Sequence, residues 1–386
     1  MPIEVGIEVE PRCNFQCPFC FNQLSFAKQG RGKAASLSTD YVKKVVEQVK
    51  KAGIPKILFT GGEPLLRRDI LEILDHAGNL GFKEVWLSTN GSLIDDQLAR
   101  RLVKSVGYFN IPIQASTARK EDRLCGVKNS LALKLNAIRL LKRAGAKYVR
   151  ALTVATREAI ADLELIAAVA AEARVSKWEL LRPSSPTPGD ERFTLDNRDV
   201  ESLVDKVWKI KESGKVDCCF GYSFPFCAVK DPERIDRLTK SRLPRIGSSR
   251  YLRFAVDTRG FAKPNYFTDI NIGDPLDPLA CWRHPFMREL RTSGFLPEAC
   301  RDCRFKDRCQ GGFRYMAKTM YGDYRAPDPL ATDSALRLGA RRQTAVPRDS
   351  QKSAALRLGA RRQTAVPRDS RASAARRPKL SREEPR

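Results

Sequence analysis

Apolar positions along the first 215 residues fall into two alternating rhythms. Short runs of period two or continuous apolar character predict strands at Ile3 to Glu10, Lys56 to Thr60, Glu84 to Ser88, Phe109 to Gln114, Tyr148 to Val154 and Lys177 to Leu181. Between them, apolar residues at helical spacing predict helices. Ser38 or Thr39 caps one that runs through Lys51, with Val42, Val45, Val46 and Val49 on one face and Gly53 beyond its end. Others are predicted at Asp69 to Leu80, about Ile94 to Val103, Ser130 to Arg143, Ala161 to Ala173 and Arg198 to Lys211. Strict alternation of strand and helix predicts a parallel sheet with crossover helices. Six such units, with unusual residues at strand ends, predict an α/β fold: a partial (β/α)6 TIM-like barrel, with a doubly wound sheet as the alternative.

Beyond Gly214 the rhythm becomes irregular, and the chain divides into three expected regions. These are a barrel over 1–215, a small cysteine-containing domain over 216–332, and a tail over 333–386. The tail holds ALRLGARRQTAVPRDS twice, at 335–350 and 355–370, and has no aromatic residue or cysteine. Two copies without aromatics cannot bury a core, so the tail reads as basic and disordered. It carries 15 Lys+Arg against 5 Asp+Glu, which is +10 of the chain's net +25. The remaining +15 suits an anionic partner without requiring one.

The longest apolar run lies between Glu164 and Glu172, far short of the ~18 residues that a membrane span needs. Residues 1–11 lack a basic start and an apolar stretch, so no secretory signal is expected. The 11 cysteines are odd in number and unequally spaced, which argues against a secreted disulfide framework and for a cytoplasmic protein. Six of them cluster: Cys13, Cys17 and Cys20 in CNFQCPFC, and Cys300, Cys303 and Cys309 in CRDCRFKDRC. Clustered thiolates point to metal or iron–sulfur chemistry. Three thiolates in the first group can hold three irons of a 4Fe–4S cluster and leave the fourth open. A zinc site completed from elsewhere is the alternative.

Two turns stand near that first group in the predicted barrel. Gly61-Gly62-Glu63-Pro64 ends the second strand, where a backbone without Cβ atoms admits a close neighbour. Ser88-Thr89-Asn90-Gly91 ends the third and presents hydroxyl and amide groups. With Phe19 between the last two cysteines, CNFQCPFC, GGEP and STNG together resemble the radical S-adenosylmethionine (SAM) enzyme superfamily over about residues 1–215. The resemblance implies that Cys13, Cys17 and Cys20 bind a 4Fe–4S cluster whose open iron chelates SAM. It implies that Gly61, Gly62 and Glu63 lie at the SAM amino group, the backbone near Phe19 at adenine, and Ser88 and Asn90 near the ribose or methionine end. It also implies an external electron donor of ferredoxin or flavodoxin type, and a 5′-deoxyadenosyl radical that abstracts a substrate hydrogen. Gln114, Ser116, Arg150 and Thr153 are weaker candidates for the same rim. Cys125 reads as a small buried residue.

The stretch 251–318 resembles the SPASM/twitch extension of radical SAM peptide-modifying enzymes, which binds one or two auxiliary clusters. Cys300, Cys303 and Cys309 match three of its cysteines. Asn265, Phe313, Ala331 and Ser248 or Ser249 stand where others would be. One auxiliary cluster is therefore expected, with Cys281 the leading fourth ligand, then Cys227 or Asp328. A structural zinc or an empty site is the alternative. The adjacent pair Cys218-Cys219 reads as buried.

The function expected is radical modification of a peptide or protein side chain. Tetrapyrrole or other small-molecule modification comes second. RNA modification is third, because no RNA-binding module with interleaved aromatics is visible. A non-catalytic iron–sulfur scaffold is the reading from another class, and the intact cysteine triad and GGEP turn speak against it.

Overall fold

Nine strands form one sheet in the order β7-β6-β5-β4-β3-β2-β1-β8-β9. They are β1 (Glu4–Glu10), β2 (Lys56–Gly61), β3 (Glu84–Ser88), β4 (Tyr108–Pro112), β5 (Tyr148–Val154), β6 (Lys177–Leu181), β7 (Cys218–Phe220), β8 (Arg253–Val256) and β9 (Ala262–Lys263). β1 to β8 pair in parallel, and β9 turns back antiparallel on β8. The computed structural model describes residues 1–20, 36–184, 193–221, 224–240, 252–292 and 294–331. The tail over 333–386, Ser248, Ser249 and most of the Pro-rich stretch after β6 lie outside the described residues, all of which belong to one compact unit spanning Met1–Ala340.

Helices alternate with the first six strands, as the sequence predicts. α1 (Thr39–Lys51) starts at Ser38, whose side chain accepts from the Tyr41 amide, and buries Val42, Val45, Val46 and Val49. Each such burial is worth roughly 1.5–3 kcal/mol. α2 (Ile70–Asn79), α3 (Asp96–Leu102), α4 (Ala118–Cys125) and α5 (Ser130–Arg143) follow in order. α6 (Arg157–Ala161) and α7 (Leu163–Glu172) replace the single helix expected over Ala161 to Ala173. The break falls at Asp162, whose carboxylate is drawn out of the helix rhythm by the backbone and hydroxyl of Ser116 and by Lys120. α8 (Asn197–Glu212) opens on a capping box between Asp196 and Asp199.

Strand alternation divides the sheet's side chains between two environments. Val5, Ile7, Val9, Ile57, Phe59, Leu87, Phe109 and Ile111 belong to the hydrophobic core that the helices complete. Glu4, Lys56, Thr60, Trp86, Ser88, Asn110 and Arg150 line a cavity of about 560 Å³ on the concave side. The partial (β/α)6 barrel is thus present. It does not end at residue 215, however: β7 continues the sheet beyond β6, and β8 pairs with the other side of β1 in the register Glu4↔Arg253. No helix among the described residues is long and apolar enough to cross a membrane.

Candidate functional site

The C-terminal ends of β1, β2 and β3 converge on one rim. The chain leaves β1 at Glu10 and reaches the first cysteines at Cys13, Cys17 and Cys20, all half-buried and none in a disulfide. β2 ends in Gly61 and Gly62, pressed against the β1 exit. The Gly62 amide donates to the Glu10 carbonyl at 2.7 Å, and the Glu63 amide to the Arg12 carbonyl at 2.7 Å. A Cβ on Gly62 would stand 2.2 Å from the Arg12 carbonyl oxygen, and one on Gly61 2.3 Å from that of Glu10. Gly61 also adopts φ +150°, so glycine is required there on both counts.

Glu63 is fully buried, and its carboxylate locks the two turns together. It accepts from the Thr89 hydroxyl at 2.6 Å, the Asn90 amide at 2.7 Å and the Leu65 amide at 3.0 Å. Burial pushes the carboxyl above its ordinary value, against the pull of these three donors. The side chain that the resemblance assigns to SAM's amino group is therefore engaged with the protein, and the turn's backbone is what reaches the rim. Asn90 ties the STNG turn to the cysteine loop. Its Nδ2 donates to Asn14 Oδ1 at 2.8 Å and lies 4.0 Å from Cys13 Sγ. Phe19 packs edge-on against Phe193, with ring centroids 6.4 Å apart.

The donor set of the loop fits an iron–sulfur cluster. Three thiols outside any disulfide lie on one eight-residue segment, and the Phe15 amide donates to Cys13 Sγ at 3.4 Å, a contact that stabilises a thiolate. Burial is the main cause that holds the Cys13 thiol above its ordinary pKa; a hydrogen bond to Cys125, then burial, does so for Cys17. Among the described residues, no three Cys, His, Asp or Glu side chains converge tightly enough to hold a single metal ion.

The weaker rim candidates divide. Arg150 lines the cavity, ion-paired with Glu179 at 2.7 Å, bonded to Asn110 at 2.9 Å and stacked 4.6 Å from the Trp86 ring centre. Ser88 lines it too, near its upper end. Gln114 and Thr153 do not: Gln114 accepts from the Val154 amide at 2.9 Å, and Thr153 is buried beneath Trp178, whose indole N–H donates to it at 2.8 Å. Ser116 caps onto Asp162. Cys125 is buried as expected, but it lies against Cys17, a contact that its place before a helix did not reveal. Glu121 and Lys134 are the other residues missed, whereas Thr89 belongs to the STNG turn read from the sequence. Lys134 had a legible signal, since it interrupts the apolar stripe Leu131, Ile138 and Leu141 of α5.

Cys227, Cys281 and Asp328, the candidate fourth members of the second cysteine group, lie in different surroundings. Cys300 lies near Cys309, Cys227 and Cys303, and burial foremost pushes its thiol up to about 12, against the pull of Arg314. The Phe226 amide donates to Cys309 Sγ at 3.4 Å, which brings the segment holding Cys227 against the group. Cys281 sits elsewhere, buried with its thiol donating to the Asp274 carbonyl at 3.1 Å and close enough to Tyr41 to affect it. Asp328 is also engaged: it pairs with Arg182 at 2.7 and 2.9 Å and accepts from the Phe313 amide at 2.6 Å. Cys218 and Cys219 are fully buried in β7, as expected.

Residues 7–169 match the family model described as "Radical SAM superfamily". The PqqA peptide cyclase of Gluconobacter oxydans (strain 621H) is 26% identical over 351 residues, covering 86% of this chain and 90% of the cyclase. Among solved structures, Streptococcus suis SuiB bound to S-adenosylmethionine aligns with a TM-score of 0.68 at 17% identity, over 86% of this chain and 77% of that one. Native anSMEcpe with bound AdoMet aligns with a TM-score of 0.68 at 17% identity, over 87% and 96%. At these identities the solved structures establish the shared fold.

Proposed function

We propose, from the premise that this chain is a radical SAM enzyme, that it modifies the side chain of a peptide. Its cofactors are a 4Fe–4S cluster and SAM, and Cys13, Cys17 and Cys20 are the ligands we assign to that cluster. Bound there, the pair would supply radical chemistry for abstracting a substrate hydrogen. The protein's own work is placement. Gly61 and Gly62 bring backbone to the rim, and the Glu63 latch fixes the STNG turn. Asn90 then holds that turn to the cysteine loop. Below the rim, Arg150 is held in the cavity wall by Glu179 and Asn110 and stacks on Trp86. A cavity of about 560 Å³ is large enough for a side chain together with part of its backbone.

The observation that carries the peptide reading is the cyclase relative. Its similarity spans 86% of the chain and so extends well beyond the SAM domain into the segment after β6. We assign that segment an auxiliary cluster, with Cys227, Cys300, Cys303 and Cys309 as its four thiolates. None of the eleven cysteines is joined in a disulfide, which suits a reducing cytoplasm and an external ferredoxin- or flavodoxin-type donor.

The test is anaerobic reconstitution followed by SAM, dithionite and a peptide encoded beside the gene. Peptide-dependent 5′-deoxyadenosine, with deuterium carried over from a labelled peptide, is expected. Deuterium transfer from a tetrapyrrole and none from the peptide would overturn the peptide reading.

A further inference from the structure

The chain beyond β6 brings one aromatic ring to the barrel cavity. β9 ends at Lys263, and the turn after it carries Tyr266 and Phe267. The Asn265 side chain fastens that turn, its Oδ1 accepting from the Phe267 amide at 2.8 Å. The two neighbouring rings then part. Phe267 packs on Phe313 and Tyr315, with ring centroids 5.5 and 5.4 Å apart, in the segment that follows Cys309. Tyr266 lines the cavity that Trp86 and Arg150 also line. Its hydroxyl lies against β1 at Gly6, where a Cβ would stand 1.7 Å from Oη and 2.9 Å from Cζ. Gly6 does not have a positive φ, so the strand conformation does not ask for glycine there. A glycine inside a strand forgoes side-chain packing and often marks the close approach of another group. The group admitted here is the Tyr266 phenol.

We infer that Tyr266 forms the wall of the substrate cavity over the middle of β1 and positions the peptide side chain beneath the rim. The inference rests on the peptide reading above and deepens it, by naming a positioning residue outside residues 7–169 that match the family model. The neighbours of Gly6 on β1 leave that stretch of wall to Tyr266. Val5 and Ile7 belong to the core on the other face, and Glu4 is ion-paired with Arg253 at 3.1 Å. Gly6 itself presents no side chain, so the ring laid over it is the surface a ligand would meet. Across the sheet, Arg150 is held by Glu179 and stacks on Trp86. A tyrosine ring suits such a wall, since it offers a large rigid face with few rotatable bonds. Hydrogen abstraction needs its reacting atoms held about 3–3.5 Å apart, so a wall that limits where the side chain lies governs which hydrogen is within reach. Core packing does not account for the ring. Tyr266 is only half-buried, and Phe267 already anchors the turn.

The experiment uses the reconstituted full chain with SAM, dithionite and a saturating, deuterium-labelled form of the peptide encoded beside the gene. The readout is the share of 5′-deoxyadenosine that carries deuterium, measured beside iron content and SAM cleavage without peptide. Tyr266→Leu removes the ring and is expected to lower that share about tenfold, with the other two readings unchanged. Tyr266→Phe keeps the ring and should stay near the parent. Gly6→Ala should reproduce the loss, because its Cβ displaces the ring. Gly6→Ala/Tyr266→Phe should regain part of it, since Oη is the closer of the two contacts. A parent-like share in Tyr266→Leu at full iron content would overturn the proposal. Loss of iron or of peptide-free SAM cleavage in that variant would overturn it too, by assigning the ring to the fold. A parent that cleaves SAM but takes no deuterium from the peptide would overturn the peptide reading as well.

Discussion

The Thr89 hydroxyl donates to the buried Glu63 carboxylate at 2.6 Å, and together with the Asn90 amide it fastens the turn after β3 to the turn after β2. Thr89→Val leaves the shape nearly intact but removes the donor from a fully buried charged group. Such a loss costs about 1–3 kcal/mol. The expected outcome is a lower urea midpoint together with slower SAM cleavage, both restored by Thr89→Ser. An unchanged cleavage rate in Thr89→Val would show that the latch does not order the SAM end of the rim.

Glu8 gives the fold a pH dependence of defined sign. Burial pushes its carboxyl up to about 7, with Lys263 and Arg259 pulling it down and Asp257 pushing it further up. The unfolded chain ionises near 4.5, so folding penalises the charged form. The contribution is most favourable below the unfolded pKa and is lost as pH rises toward 7. At one pKa unit per 1.36 kcal/mol the loss amounts to roughly 3 kcal/mol. Glu8→Gln should therefore gain stability over the parent as pH rises from 4.5 to 7.5. Urea unfolding at a series of pH values checks this, and parallel curves would refute it.

Much of this architecture was legible because helix and strand periodicity are local. The termini of β3, β5, β6 and α5 stand where the apolar rhythm ends, and Ser38 caps α1 as its type and position indicate. α4 was not legible. Its sequence, ARKEDRLC, has too few apolar residues for a stripe, and tertiary bonds to Glu121 and Asp122 anchor it. β7, β8 and β9 are two to four residues long, too short for a pattern, and they form because the sheet offers open edges. The site shows the same division. Cysteine spacing and the two glycines could be read directly. Cys125 beside Cys17, or Cys227 beside Cys300, depends on contacts between segments about 70 to 110 residues apart, which no local pattern encodes.

Gly62 tests how tightly the rim is built. An alanine Cβ would overlap the Arg12 carbonyl, which is backbone and cannot rotate away. Gly62→Ala should cost about 3 kcal/mol and displace the segment leading into Cys13. Reduced iron retention after desalting is the expected result. Gly81→Ala is the control, since open space surrounds that position although its φ of +69° adds some strain.

Arg182 and Asp328 join the end of β6 to the last described segment through a buried, two-pronged ion pair. Burial raises the Asp328 carboxyl. The charge and hydrogen bonds of Arg182, with the Leu330 and Phe313 amides, outweigh it and hold the group below its ordinary value. Its stabilisation is therefore present above the unfolded carboxylate pKa and is lost as pH falls through the folded one. Asp328→Ala should destabilise by about 3–5 kcal/mol, because it leaves a buried guanidinium unpaired. Arg182→Met/Asp328→Leu should recover part of that. Thermal unfolding of the three proteins decides the matter, and equal midpoints for the single and double variants would contradict it.

The fourth thiolate of the second group can be counted directly. Cys300 and Cys303 flank one short turn, closed by the Cys303 amide donating to the Cys300 carbonyl at 3.2 Å, and Cys309 ends a helical turn six residues later. These three cannot fill a four-cysteine set alone. Cys227 lies beside Cys300, and its neighbour Phe226 bonds Cys309, whereas the Cys281 thiol is committed to the Asp274 carbonyl. In a Cys13→Ala/Cys17→Ala/Cys20→Ala background, reconstituted protein should retain about four irons. Adding Cys227→Ala should abolish that iron or leave a three-iron EPR signal, while adding Cys281→Ala should leave it unchanged. The reverse pattern would transfer the ligand to Cys281. Zinc in place of iron, measured in the same samples, would reassign the site as structural.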